Sequence, residues 1–155
     1  MAAPYIDTSA LAKWYLNESR SEDFETFIRQ QQSAAISRLT VLEFRCLLAR
    51  RRRTGEISRR MEEQLFSVFE NDVRRGFLAV HPLEDAHALA AVDIITRLRT
   101  HPLRSLDALQ LAVAQDLGAT ILATADRALA DAAAALGLQT ARFEVMPQSP
   151  GPRVG

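Results

Sequence analysis

The sequence contains few residues that carry thiol or imidazole chemistry. Its 155 residues include one cysteine, Cys46, and three histidines. One cysteine excludes an intramolecular disulfide and a cysteine-based metal site, and the histidines are scattered without ligand spacing. We interpret Cys46 as a small buried apolar residue. The sequence therefore does not support a zinc–cysteine site or a histidine-based catalytic centre.

The chain also lacks an excess of charge of either sign and any long apolar run. Its 19 basic and 19 acidic residues give a formal net charge of +0, so the overall charge neither requires nor excludes a nucleic-acid partner. No apolar run approaches the roughly 18 residues of a membrane span, and the N-terminus shows no signal-peptide pattern. We therefore expect a cytoplasmic protein without a membrane partner.

Short apolar runs alternate with helical patterns along the chain, which indicates an α/β fold with a mainly parallel sheet. The length suits one domain, and we predict a single domain over residues 1–146 followed by a flexible, proline-rich tail over 147–155. Predicted strands cover 5–6, 34–36, 77–80, 120–123 and 138–142. Predicted helices cover 10–17, 21–32, 39–53, 57–75, 84–100, 106–117 and 127–136.

Serine and threonine residues mark the predicted helix starts, because their hydroxyls accept hydrogen bonds from the free N–H groups of a first turn. Thr8 or Ser9 is expected to cap the first helix, and Ser105 the sixth. Apolar spacing predicts the buried side of the helix over 57–75. That predicted stripe consists of Met61, Leu65, Val68 and Phe69.

Four acidic residues lie near the ends of these elements. Asp7 follows the first strand and Asp126 the fourth, so a parallel sheet places both at one edge. Glu43 lies within two turns of a helix start on an otherwise apolar face, where a carboxylate is costly unless it is paired or metal-bound. Asp107 lies in a first helical turn. Taken alone, each of Asp7, Asp107 and Asp126 also fits an acid that favours the dipole at a helix start. Glu43 alone also fits a half-exposed, solvated residue.

Four converging carboxylates repel one another, and some remain protonated at neutral pH unless a cation is present. An all-oxygen site without cysteine or organised histidine favours Mg²⁺ or Mn²⁺ over Zn²⁺. One or two such ions activate water and stabilise the leaving oxygen of a phosphodiester. The four acids are therefore candidate metal ligands and catalytic residues.

The ordered set of motifs resembles the PIN-domain family, and more narrowly the VapC toxin ribonucleases of type II toxin–antitoxin systems. The resemblance runs from about residue 5 to residue 138. The motifs that carry it are YIDTSAL at 5–11, Glu43, RSLDALQLA at 104–112 and TADRAL at 124–129.

This resemblance implies a three-layer α/β/α sandwich and an endoribonuclease dependent on Mg²⁺ or Mn²⁺. It also implies a homodimer neutralised by a cognate antitoxin protein. Ser9 and Thr124 correspond to hydroxyls that position carboxylates or water. Gln110 stands where many relatives have histidine, and we treat this difference as having no effect on function. Ala128 and Leu129 stand where some relatives carry another acid, so the number of bound metal ions, one or two, stays open.

The densest positive run is Arg50, Arg51, Arg52 and Arg53. It is a candidate contact for RNA phosphates or for an acidic segment of a partner. The alternative is a solvated helix end whose cations lie at the negative pole of the dipole.

Other functions remain open at this stage. A catalytically silent PIN-like module acting through a protein partner is the main alternative. A phospho-receiver domain requires an acidic pair at the first strand and a later lysine, but only Asp7 is present and Lys13 lies within a helix. A haloacid-dehalogenase-like phosphatase requires Asp-x-Asp, but Ser9 occupies the second position.

Overall fold

The computed structural model of the protein describes residues 2–145. The tail predicted for 147–155 lies outside the described residues. Within the described part, no helix is both long and apolar enough to cross a membrane. The elements in chain order are β1 (Tyr5–Ile6), α1 (Thr8–Tyr15), α2 (Ser21–Arg29), β2 (Ala34–Ser37), α3 (Arg38–Arg53), α4 (Arg59–Arg74), β3 (Leu78–His81), α5 (Asp85–Arg97), α6 (Ser105–Asp116), β4 (Ile121–Thr124), α7 (Arg127–Ala135) and β5 (Gln139–Arg142).

Every predicted strand and helix is confirmed, and most ends agree within two residues. The two larger differences are early helix ends: α2 stops at Arg29 instead of residue 32, and α5 stops at Arg97 instead of residue 100. Helix ends fray and are the least determined part of a periodic pattern. The alternation of strands and helices therefore determined the architecture correctly.

The sheet is wholly parallel, with the strand order β3-β2-β1-β4-β5. The central strand β1 pairs with β2 through Tyr5 and Ala35, and with β4 through Ile6 and Ala123. The chain adds β2 and β3 on one side of β1 before it crosses to build β4 and β5 on the other. In such sheets, ligands bind beyond the carboxyl ends of the strands at this switch in direction.

Helices cover both faces of the sheet. Because successive side chains of a strand point to opposite faces, the two residues of β1 enter different cores. Ile6 packs in a core with α1–α4, which contribute side chains such as Leu11 and Phe44. Tyr5 packs in a second core with α5–α7, which includes Leu111. This is the predicted three-layer α/β/α sandwich.

The N-caps of α1 and α6 differ from those predicted. Asp7 itself caps α1, so the expectation for Thr8 or Ser9 is wrong. Arg104 occupies the N-cap position of α6, so the prediction for Ser105 is also wrong. The first and fourth acids, Asp7 and Asp126, are thus the N-caps of the helices that follow β1 and β4.

Helix α3 separates a core face from an exposed face. Phe44 and Leu48 are completely buried, whereas Leu42 is 63% exposed. Cys46 is exposed as well, so its interpretation as a buried residue is wrong. Leu42 and Cys46, which lie near Glu43 on α3, therefore line a surface depression instead of the core.

The predicted buried stripe of α4 is confirmed at Phe69 and, partly buried, at Leu65, but it is wrong at Met61 and Val68. Met61 is 43% and Val68 52% exposed, whereas Phe69 and the charged Glu62 are buried. Glu62 is tolerated there because Arg45 and Arg52 of α3 pair with its two oxygens at 3.2 and 2.6 Å. A pattern of apolar residues cannot reveal a buried carboxylate that is neutralised by another helix.

Candidate metal centre

The four predicted acids line one cavity beyond the carboxyl ends of β1 and β4. The cavity has a volume of about 440 Å³. Asp7 lies at its base and is almost completely buried. Apolar residues of α3 and α6 form much of its wall. The lining residues include Asp7, Ser9, Leu39, Leu42, Glu43, Cys46, Arg50, Arg104, Leu106, Asp107, Gln110 and Asp126.

Asp7 is held by donors from three directions. Its Oδ1 accepts from the Ser9 hydroxyl at 2.8 Å and from the Ala10 backbone N–H at 3.1 Å. Its Oδ2 accepts from the Thr124 hydroxyl at 2.9 Å. A carboxylate that ends a central strand and caps the following helix is fixed in both position and rotation.

Burial raises the pKa of Asp7 to about 7, although the donors from Ser9, Ala10 and Thr124 oppose that shift and Asp126 adds a repulsive charge. Burial also raises the pKa of Asp107, with a further contribution from Asp126. Both shifts have the direction expected when carboxylates share a desolvated site without a cation. The cavity is therefore electrostatically suited to a bound positive charge.

Ser9 and Thr124 also tie Asp7 to the loop that carries Asp126. The Ser9 oxygen accepts from the Ala125 backbone N–H, and the Thr124 oxygen accepts from the Asp126 backbone N–H, each at 2.9 Å. The carboxylate of Asp126 then caps α7 by accepting from a backbone N–H at 3.1 Å. The structure thus places both hydroxyls in contact with the positions of the first and fourth acids.

Glu43 reaches the cavity from α3 and is held by two side chains that sequence reasoning missed. Its Oε1 accepts from the Thr8 hydroxyl at 3.0 Å and from Gln110 Nε2 at 2.6 Å. Gln110 is only 3% exposed, and its Oε1 accepts from Tyr5 and, at 3.3 Å, from Thr40. The sequence feature that could have pointed to Gln110 is its position as a polar residue on the buried face of α6.

Three of the acids keep a carboxylate oxygen without a hydrogen-bond donor from residues 2–145. Asp107 uses one oxygen to accept from the Arg104 backbone N–H at 3.2 Å, and Glu43 and Asp126 likewise use only one. Within that range, none of the four acids forms an ion pair. The unused oxygens are hard donors of the type that Mg²⁺ and Mn²⁺ prefer.

The arrangement fits a divalent ion in its donor chemistry but is not a closed cage. Among the described residues, no three His, Cys, Asp or Glu side chains form a set that could by itself hold a metal ion. Mg²⁺ typically keeps several waters and shares its ligands with substrate phosphates. The acids therefore suit an open site that is completed by water and substrate.

The four arginines of the predicted basic run have different surroundings. Arg50 lines the cavity, whereas Arg51 pairs with Glu18 and Glu56 at 2.9 and 2.7 Å. Arg52 is the partner of the buried Glu62 already described, and Arg53 is exposed. Arg104, which the sequence did not single out as a candidate, also lines the cavity.

A known family model matches most of the chain. A family model described as the PIN domain matches residues 5–135. No curated protein matches the chain at a significant level.

Several solved structures share the fold. VapC20 from Mycobacterium tuberculosis, described as a Sarcin-Ricin loop cleaving toxin, is 18% identical with a TM-score of 0.68, covering 94% of this chain and 100% of that chain. FitAcB from Neisseria gonorrhoeae is 18% identical with a TM-score of 0.68, covering 88% and 94%. DNA-bound VapBC from Salmonella typhimurium is 20% identical with a TM-score of 0.64, covering 92% and 99%.

Proposed function

The chain belongs to the PIN domain family, and from that premise we propose that it is a metal-dependent endoribonuclease, the toxin of a type II toxin–antitoxin pair. The observation that carries the proposal is the convergence of Asp7, Glu43, Asp107 and Asp126 on one cavity. Neighbours with the same fold include a toxin described as cleaving the Sarcin-Ricin loop. The substrate class is RNA.

The four acids would hold Mg²⁺ or Mn²⁺, which supplies positive charge to a phosphodiester and lowers the pKa of a bound water. Ser9 and Thr124 keep Asp7 in a fixed orientation. Arg50 and Arg104 line the same cavity and offset the charge of the substrate phosphates. Hydrolysis by attack of water in line with the leaving oxygen leaves a 5′-phosphate and a 3′-hydroxyl.

The proposed protein partner is a cognate antitoxin, and the proposed location is the cytoplasm. Structures with the same fold contain VapBC and FitAB bound to DNA fragments. An inserted arginine or lysine would place a cation among the acids, displace the metal and neutralise the charge that the cavity leaves unpaired. A purified complex that cleaves RNA at the rate of the free protein would contradict this mode of inhibition.

The proposed assembly state is a homodimer. Helix α5 exposes three large apolar side chains, Leu89, Val92 and Ile95. Light scattering of the purified chain tests this part of the proposal, since a monomer mass at micromolar concentration would contradict it.

The nuclease proposal predicts metal-dependent cleavage of a mixed cellular RNA pool by the partner-free protein. We expect discrete fragments in Mg²⁺ or Mn²⁺, because the acids need a divalent ion to bind the phosphate, and no fragments in EDTA. Asp107→Asn removes a charge from the cavity and should reduce cleavage by about a hundredfold or more. Gel electrophoresis of the RNA and sequencing of fragment ends provide the measurement.

Asp85→Asn is the matched control for Asp107→Asn. Asp85 lies in the first turn of α5, as Asp107 lies in the first turn of α6, but it is exposed and does not line the cavity. We expect this variant to cleave RNA like the unaltered protein. Absence of cleavage in either metal, with folded protein, would reject the nuclease and favour a silent PIN-like binding module.

A further inference from the structure

Gln110 links the second core of the sandwich to the candidate metal centre. We propose that it is a positioning residue, whose side-chain amide orients Glu43 so that one carboxylate oxygen faces the metal. This inference rests on the proposed function, because it assigns Gln110 a role toward a metal-binding Glu43. Gln110 is an almost completely buried residue of α6 and Glu43 a partly buried residue of α3, so the contact joins two helices that are distant in sequence.

The chemistry of its neighbours fixes which way the amide points. The Tyr5 and Thr40 hydroxyls both contact the Gln110 carbonyl oxygen. That oxygen only accepts hydrogen bonds, and the amide nitrogen only donates. In the reversed orientation, the carbonyl oxygen would face the Glu43 carboxylate and two acceptors would meet. The nitrogen therefore points to Glu43.

The hydroxyls that orient Gln110 are themselves fixed. The Tyr5 hydroxyl lies 2.9 Å from the Ser37 hydroxyl. Thr40 and Ser37 form the capping box of α3, in which the Ser37 backbone N–H donates to Thr40 Oγ1 at 3.2 Å. The same α3 carries Glu43, so the cap and the carboxylate are parts of one rigid unit. A buried network with all members paired holds a single arrangement.

The two oxygens of Glu43 have different environments. Thr8 and Gln110 both donate to Oε1, whereas Oε2 has no donor among residues 2–145. Oε2 is also absent from the fully enclosed polar atoms that lack a partner in that range, so it keeps contact with solvent. A glutamate has three rotatable bonds, and the two donors on one oxygen restrict them. Oε2 is left as the oxygen available to an ion.

The test is Gln110→Met, which keeps the length of the side chain but removes the donor. We expect the Kd for Mn²⁺, measured by isothermal titration calorimetry on the RNA-free full chain, to rise about tenfold, the scale typical for partners of metal ligands. Cleavage should require about tenfold more Mg²⁺ for half-maximal rate and approach the unaltered rate at saturation. Gln110→His, which restores an N–H donor, should recover most of the affinity.

Gln115→Met is the matched control, because Gln115 lies on the same helix and is exposed. It should leave the Mn²⁺ affinity unchanged. Thermal unfolding separates positioning from packing, since a merely structural role would lower the melting temperature of Gln110→Met without changing the Mn²⁺ affinity of the folded protein. That outcome would overturn the inference, as would Gln110→His binding Mn²⁺ as weakly as Gln110→Met.

Binding and cleavage are measured separately, so the two proposals fail in different ways. A chain that binds Mn²⁺ and cuts no RNA contradicts the proposed function, while the Gln110 variants still test the positioning of Glu43. Normal RNA cleavage by the unaltered protein, together with an unchanged Mn²⁺ affinity in Gln110→Met, contradicts the inference alone.

Discussion

Asp7→Asn is expected to abolish RNA cleavage and, in the same protein, to raise the melting temperature in metal-free buffer. Loss of the carboxylate removes one of the proposed metal ligands, and we expect the rate to fall about a thousandfold or more. The stability gain arises because burial raises the pKa of Asp7 from 3.8 to about 7. The folded protein therefore ionises this group at a cost that the unfolded chain does not experience.

The sign of this effect follows from proton linkage. Between pH 4 and pH 7 the folded state holds the Asp7 proton more tightly than the unfolded chain, so ionisation progressively lowers the free energy of unfolding as pH rises. The penalty is absent below about pH 4 and complete above about pH 7. At about 1.36 kcal/mol per pKa unit, the shift of Asp7 from 3.8 to about 7 amounts to roughly 4 kcal/mol. Asparagine carries no such penalty at any pH.

Thermal unfolding with EDTA at pH 5 and pH 8 measures this difference. We expect Asp7→Asn to melt on the order of 5–10 °C above the unaltered protein at pH 8, with a smaller gap at pH 5. The asparagine oxygen still accepts from the Ala10 N–H, so the cap of α1 survives. Asp85→Asn should show no such gap. Equal melting temperatures for Asp7→Asn and the unaltered protein at pH 8 would show that Asp7 carries no ionisation penalty.

Thr124→Val should reduce cleavage at pH 7 by about fivefold to tenfold and move the acid limb of the pH profile upward by about one unit. Thr124 is completely buried, and its hydroxyl is the donor to Asp7 Oδ2 at 2.9 Å. A hydrogen bond to the charged form lowers the pKa of a carboxyl group, so its loss raises the pKa of Asp7 above about 7. More of the carboxyl is then protonated at pH 7, and protons compete better with the metal.

The pH profile of cleavage from pH 6 to pH 9 at a fixed, limiting Mg²⁺ concentration measures this shift. The deficit of Thr124→Val should shrink as pH rises, because Asp7 then ionises in both proteins. Thr120→Val is the control, since Thr120 is exposed just before the same strand. A loss of equal size at every pH would mean that the hydroxyl acts through the structure of the loop instead of through the ionisation of Asp7.

The sequence predicted the parts of the fold that depend on local pattern. Short apolar runs with helices between them correctly indicated the parallel sheet, because a strand buried on both faces must be apolar throughout. Asp7 and Asp126 were placed at one edge of the sheet because both come after strands, and the carboxyl ends of parallel strands meet at the same edge. Glu43 and Asp107 were expected nearby because both lie close to helix starts, and the structure brings both to the cavity.

The sequence failed where a residue's role depends on a partner far along the chain. Gln110 was treated as a neutral replacement for the histidine of many relatives, whereas its hydrogen-bond partners lie on β1 and α3. The predicted buried stripe of α4 omitted Glu62 because a charged residue is expected at the surface. Its burial is possible only through the ion pairs with Arg45 and Arg52. Arg51 belonged to a conspicuous basic run but is engaged by Glu18 and Glu56. No local pattern encodes such pairings.

The central position of β1 also determines when the site can assemble during synthesis. Asp7 leaves the ribosome well before its second neighbouring strand, β4, and the hydroxyl of Thr124, which lies 117 positions later in the chain. At about 5–20 residues per second, several seconds separate the two. Asp126, the last of the four acids along the chain, follows Asp7 by 119 positions. The candidate metal centre therefore stays incomplete while the segment between these two acids is synthesised.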